Sequence, residues 1–215
     1  RIGGLKLELE ELRSNVVGAQ LGSAAIHTSL IAAAVGFALV VIFMIAVYYF
    51  MGLAASLALC LYTELLVILM YAFEVTLTLP GIAGIILTVG MAVDANVIIF
   101  ARIREEIAAG KSVQNAIKIG FQKALSAILD GNITTLIAGL VLYFMGSGTI
   151  KGFSITLMLG IILSMFTALL VTKSLVNIFY ALGIQSEKAY GVAKERKTIN
   201  YLSKSYVFYR ISIVA

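Results

Sequence analysis

Five stretches of this chain run for about twenty residues with at most one charge apiece, and a sequence of that kind has few folds open to it. Ile31 to Phe50 is uncharged, and Leu53 to Phe73 carries only Glu64. Leu79 to Ala101 carries only Asp94, Ala124 to Met145 only Asp130, and Phe153 to Tyr180 only Lys173. A hydrocarbon core takes about 20 apolar residues per helix, and a helix satisfies every backbone group inside it. The expectation is an all-α transmembrane fold, a five-helix bundle over residues 30–182, with spans at 31–50, 53–73, 79–101, 124–145 and 153–180. Of the 215 residues, 61% are hydrophobic and 13% charged. Soluble domains run about 45–50% and about 25%, so no separate soluble core is expected.

Basic residues set the orientation. Arg102, Arg104, Lys111, Lys118 and Lys123 lie between the third and fourth spans, and Lys188, Lys194, Arg196, Lys197, Lys204 and Arg210 lie in the tail at 183–215. By the positive-inside rule both regions are cytoplasmic, and the amino terminus is outside. The net charge of +5 then reports topology and gives no reason to expect nucleic acid. Three flanking pieces remain. Leu5-Lys6-Leu7-Glu8-Leu9 alternates with period two and predicts a short strand within residues 1–29, a β remnant of an external domain. Residues 111–123 put Val113, Ala116, Ile117, Gly120 and Phe121 on one face, which predicts an interfacial amphipathic helix. Val207 to Ala215 turns apolar again, as at the start of a further span. With no initiating methionine and no signal peptide, the chain reads as part of a longer protein.

Several chemistries find no support. The single Cys60 and single His27 make neither a disulfide framework nor a metal site, and no cofactor is implied. Gly110-Lys111-Ser112 lacks the glycine a phosphate-binding loop needs five residues earlier, where Glu105 stands. The glycines from Gly146 to Gly152 predict a tight turn between the last two spans. Asn132-Ile133-Thr134 spells a glycosylation acceptor but falls in or near a span.

The acids within spans are the candidates for function, because charge in hydrocarbon is costly and rare. Asp94 lies eight residues before Arg102, roughly 12 Å deep at 1.5 Å per residue. Asp130 lies seven residues beyond Lys123, roughly 10 Å deep by the same rise. The two are expected at similar depth and, if their helices are neighbours, facing one polar pocket. Asp94 and Asn96 point to nearly opposite faces of their helix. Ala83, Leu87, Gly90 and Ala101 lie on the Asp94 face, and Ile85, Val89 and Ile103 on the other. Asp130-Gly131-Asn132 is open to two readings, a helix break with Asp130 as N-cap or part of a functional site. Thr134 and Thr135 are expected to bond back to their own helix or to bridge helices. Ionisation is disfavoured in a low-dielectric site, so proton exchange is the natural chemistry for Asp94.

Gly90-Met91-Ala92-Val93-Asp94-Ala95-Asn96-Val97, followed by Arg102-Ile103-Arg104-Glu105-Glu106, closely resembles the signature of the SecD family of protein-export membrane subunits. Leu77-Thr78-Leu79-Pro80-Gly81-Ile82-Ala83-Gly84 is similar to that family's entry to the same helix. Asp130-Gly131-Asn132-Ile133-Thr134-Thr135 resembles its next motif, and Lys151-Gly152-Phe153 its turn before the last helix. Val17-Gly18, Leu21-Gly22 and Ile26 resemble the return of the external domain to the membrane. The resemblance implies a member of the resistance-nodulation-division superfamily in the bacterial plasma membrane. It would work with a SecF-type subunit beside the SecYEG channel, coupling proton flow to outward movement of exported polypeptides. It implies Asp94 as proton carrier, with Asn96, Asp130, Asn132 and Thr135 lining the pathway, and no enzyme activity. Where the family commonly has an acid there is Ala101, and where it commonly has alanine or serine there is Gly131. Glu64 matches no motif.

Two other readings compete. One is an exporter of a small molecule or lipid from the same superfamily. The other is an intramembrane aspartyl protease, which also sets two aspartates at equal depth. Proteases of that type resemble Tyr-Asp and Gly-x-Gly-Asp, whereas here Val93 precedes Asp94 and Ile128-Leu129 precedes Asp130.

Overall fold

The computed structural model describes residues 19–75 and 78–191. The expected strand at Leu5–Leu9 and the apolar stretch at Val207–Ala215 lie outside these residues. Helices α1 (Ala19–Ala72), α2 (Leu79–Ala108) and α3 (Val113–Met145) come first. They are followed by α4 (Thr149–Phe166), a π-helical segment (Thr167–Thr172), α5 (Lys173–Ala181) and a 3-10 turn (Glu187–Tyr190). Among the described residues, four rods are long and apolar enough to cross a membrane: Ile26–Ala72, Leu79–Ala108, Val113–Met145 and Thr149–Ala181. Five were expected, and the difference lies in α1, which contains both of the first two.

A straight helix of 54 residues would be about 80 Å long, far more than the about 30 Å of a hydrocarbon core. The chain resolves this at Tyr49, where φ is 52° and ψ −121°. Positive φ is unusual for a bulky residue and marks local strain. The fold-back is sharp. A Cβ on Gly52 would collide with the Met44 carbonyl oxygen and come within 2.9 Å of the Ile45 nitrogen, so a side chain here would block the bend. Only the second arm is well buried. Met51, Ala55, Ala58, Tyr62, Leu66 and Met70 recur every three or four residues and face the core. Along the first arm Leu30, Ile31, Val35, Leu39 and Ile42 are exposed.

Helix α2 begins cleanly because Thr78 caps it, its Oγ1 accepting from the Gly81 N–H at 3.1 Å, and Pro80 suits the first turn. It packs most closely on α4. A Cβ on Gly84 would lie 2.5 Å from Thr156 Oγ1, and one on Gly160 would lie 2.6 Å from Thr88 Cβ. The offset is the same in both pairs, so α2 and α4 run parallel with small residues letting the backbones approach. The last rod is continuous from Thr149 to Ala181 but passes through the π-helical segment, where Thr167 Oγ1 donates to the Leu163 carbonyl at 3.0 Å.

Helix α3 corrects two expectations. The amphipathic stretch at 111–123 is no separate element: Val113–Met145 is one helix. Its sequence has no proline, and the apolar face of the first turns packs under α2, with a Cβ on Gly120 placed 2.5 Å from Ile103 Cγ1. Nor does the helix break at Asp130-Gly131-Asn132, so Asp130 is not an N-cap. The turn between α3 and α4 is as tight as its glycines predict, and Gly148 has φ +49°.

Candidate functional site

Asp94 sits halfway along α2 and is exposed on the protein surface. It opens on a groove of about 540 Å³ between α2 and the first arm of α1. Leu39, Val40 and Phe43 form one wall, and Leu87, Gly90 and Val97 form much of the other. Asp94 is the one ionisable group among the lining residues. Both walls belong to rods long and apolar enough to cross a membrane, and the side chains that line the groove around this carboxyl are apolar.

Asn96 occupies the opposite side of α2, as the two-residue spacing predicts. It is 3% exposed. Its Nδ2 donates to the Ala92 carbonyl at 3.3 Å, while its Oδ1 has no partner among the described residues. Extending the α2–α4 register by two turns brings Asn96 level with Thr167 and Ala168, at the start of the π-helical segment.

The equal depth of Asp94 and Asp130 follows from the α2–α3 hairpin. From the Ile103–Gly120 contact, Asp94 lies nine residues back and Asp130 ten residues on, a difference of one residue. The shared pocket does not follow. Nine residues turn Asp94 half a circle away from the face of α2 that meets α3 at Ile103, and Asp130 is absent from the groove lining. Asp130 is itself exposed. The polar groups after it tie back to their own helix. Asn132 Nδ2 donates to the Ile128 carbonyl at 2.8 Å. Thr134 Oγ1 donates to the Asp130 carbonyl at 2.8 Å and Thr135 Oγ1 to the Gly131 carbonyl at 2.9 Å. Glu64 is exposed on α1, and Lys173 Nζ lies 5.9 Å from the centre of the Phe121 ring.

Two residues that serve in the sequence only as orientation markers or motif members, Glu106 and Arg104, tie the elements together at the carboxyl-terminal end of α2. Glu106, 6% exposed, accepts from Lys111 Nζ at 2.5 Å and Lys123 Nζ at 2.6 Å, joining α2, the following loop and α3. Arg104 hydrogen-bonds the Val47 carbonyl through Nη2 and the Tyr190 carbonyl through Nε at 3.4 Å. Its guanidinium carbon sits 4.4 Å from the centre of the Tyr48 ring. Tyr190 itself is 1% exposed. Burial, with Tyr180 nearby, pushes its phenol up to about 12. The run Arg-Ile-Arg-Glu-Glu signals charge at a helix end, but nothing in its spacing reveals partners 57 and 86 residues away.

Long apolar rods and a parallel small-residue seam define a polytopic α-helical membrane protein, with one carboxyl in an apolar groove between two of the rods. The chain belongs to the family described as protein export membrane protein SecD/SecF, C-terminal, which matches residues 3–181. It is 51% identical over 173 residues to the protein translocase subunit SecD of Acidaminococcus fermentans, covering 80% of this chain and 42% of that protein. It is 50% identical over 180 residues to the SecD of Pseudomonas aeruginosa, covering 84% and 29%. The chain therefore spans less than half the length of these relatives. Its fold is similar to the crystal structure of SecDF, a translocon-associated membrane protein from Thermus thermophilus. The TM-score is 0.82 at 33% identity, with 92% of this chain and 27% of that one covered. A second SecDF structure, in a super-membrane-facing form, gives a TM-score of 0.73 over 88% of this chain and 26% of that one.

Proposed function

We propose that this chain is the membrane portion of a bacterial protein-export subunit that couples proton movement at Asp94 to outward movement of polypeptides. The carrying observation is the Asp94 groove: its one ionisable group lies among apolar side chains, on a helix with the family's motif. A carboxyl so placed is suited to exchanging a proton, and the change of charge alters what can pack against it. Asn96 faces the buried seam, and Asp130, Asn132 and Thr135 line the parallel depth on α3. These four serve the proton's route from positions that do not touch Asp94. In this reading the two arms of α1 each cross the membrane, giving five crossings with the amino-terminal side outside and the tail cytoplasmic. The inner basic residues and the sparse outer charges Glu74 and Lys151 support that orientation. The working assembly includes a SecF-type subunit, the SecYEG channel and the exported polypeptide, in the bacterial plasma membrane. It uses the ion gradient and performs no enzymatic chemistry.

The test is Asp94→Asn in the full-length protein, assayed by proton-gradient-dependent export into inverted membrane vesicles. Loss of the gradient-dependent stimulation is expected, with ATP-driven export and membrane insertion retained. Normal stimulation by the asparagine variant sinks the proposal.

A further inference from the structure

We propose that Arg104 is a positioning residue for Asp94, a clamp at the inner base of the groove that fixes the separation of its two walls. Arg104 lies on α2 ten residues beyond Asp94. Its Nη2 holds the Val47 carbonyl on the first arm of α1, and Val47 follows the wall residues Leu39 and Phe43 by eight and four residues. One guanidinium therefore ties the two walls together at one end. Val47 comes just before the break at Tyr49, and a cation is favoured where a helical arm ends in its carbonyls. The Tyr48 ring seats the guanidinium plane at 4.4 Å, and Phe100 of α2 packs on Tyr48 with ring centres 5.4 Å apart.

The third member of the clamp is the segment after α5. Tyr190 presents its carbonyl to Arg104 Nε at 3.4 Å. Gly191 has φ +70°, and a Cβ there would lie 2.8 Å from Nε. A side chain at position 191 is thus excluded both by backbone conformation and by the guanidinium. Lysine cannot substitute for the planar fork, which spans two carbonyls while stacking on an aromatic ring. The arrangement makes the Tyr190–Gly191 segment a releasable brace: displacing it removes one of the two carbonyls that orient Arg104 and loosens the base of the groove. The relevance of this to export rests on Asp94 as the proton carrier, whereas the clamp itself does not.

The experiment measures the groove directly. In the full-length protein with Cys60→Ser, spin labels are placed at Leu39→Cys and Leu87→Cys, two exposed residues on opposite walls. Their separation is then read by pulsed electron resonance in lipid. Arg104→Met is expected to move the main distance outward and broaden it, and Arg104→Lys to fall between it and the parent. Gly191→Ala leaves the arginine in place and is expected to shift the distance in the same direction, so it carries the test if Arg104→Met does not fold. An unchanged distribution in Gly191→Ala and in every folded Arg104 variant overturns the clamp. The two proposals separate cleanly. Normal export by Asp94→Asn with a widened groove in Arg104→Met removes the proton role and leaves the clamp. Loss of export by Asp94→Asn with an unmoved groove does the reverse.

Discussion

Gly160→Ala tests the parallel seam on which the position of α2 depends. The new Cβ would lie 2.6 Å from both Cβ and Oγ1 of Thr88 and 2.7 Å from its Cγ2. Carbon atoms in good contact sit about 3.5–4.0 Å apart, so roughly 1 Å must be found. Rotating Thr88 does not supply it. Its Cβ stays in place in every rotamer, and its Oγ1 is already bonded to the Ile85 carbonyl at 3.0 Å. The helices must part instead, and a radial gap of about 0.5–1 Å forfeits a quarter to a half of each affected dispersion contact. Overpacking of this kind costs about 1–3 kcal/mol. Alanine returns about 0.5–1 kcal/mol of helix preference, leaving a net loss of roughly 1–2 kcal/mol. At about 2–4 °C per kcal/mol for 150–250 residues, and less in a longer protein, the melting temperature of the full-length protein is expected to fall by no more than about 8 °C. The measurement is thermal loss of helical circular dichroism for the full-length protein in lipid nanodiscs. Gly131→Ala, where nothing lies within 4 Å of the added Cβ, is the control and is expected to match or exceed the parent. In a Thr88→Gly background Gly160→Ala is expected to cost less. A Gly160→Ala protein that melts with or above its parent refutes the reasoning.

Glu106→Gln strips Lys111 and Lys123 of a shared carboxylate, and melting is expected to fall by more than for Glu105→Gln, whose exposed pair with Arg102 is an i,i+3 surface contact. Equal melting of the two variants refutes a role for Glu106 as the inner tie. Asn96→Leu replaces a buried amide whose Oδ1 has no partner among the described residues with an apolar side chain of similar size, so stability is expected to hold or rise while gradient-dependent export falls. A strongly destabilised Asn96→Leu protein counts against an unpaired oxygen. Tyr190 carries a phenol raised to about 12 by burial, against about 10 in an unfolded chain. Its contribution is therefore complete below about pH 10 and is lost as pH rises towards about 12. Melting measured from neutral pH to pH 11 is expected to drop more steeply for the parent than for Tyr190→Phe. Parallel curves refute the assignment.

What the sequence disclosed follows from which physical signals are local. Apolar runs, the Thr78-x-Pro80 helix entry, the glycine turn at 146–148 and the opposed faces of Asp94 and Asn96 depend on neighbours within a turn or two. Each was readable. The break at Tyr49 was placed only approximately, as a gap between two spans, because its cause is steric and nonlocal: Gly52 makes room for the Met44 carbonyl, and Arg104 satisfies Val47 from another helix. The continuity of α3 is not legible in the sequence because the change at Lys123 from amphipathic to apolar is a change of side-chain polarity. It does not mark where helical hydrogen bonding ends. Asp94 and Asp130 come nearly level along the α2–α3 hairpin, since rise per residue is fixed. They were wrongly joined in one pocket, since rotation about the helix relative to a neighbour depends on packing that no residue count supplies.

In the proposed mechanism the same packing decides where movement follows proton exchange at Asp94. Helix α2 is wedged against α4 at Gly84 and Gly160, where added atoms would collide at 2.5 and 2.6 Å, and against α3 at Gly120, with Glu106 bound on both sides to lysines. Neither contact can slide without separating backbones or stripping a buried carboxylate of its partners. The first arm of α1 has no such constraint: its apolar side chains are largely exposed from Leu30 to Phe43. It is fixed to α2 chiefly at the end next to the Tyr49 break, through Val47, Tyr48 and Arg104. A change of charge in the groove therefore acts on one stiff wall and one compliant wall, and in the proposed mechanism the compliant wall swings about the Tyr49 break. That places the lever in the arm nearest the amino-terminal segment and makes Arg104 the point through which the hinge is held.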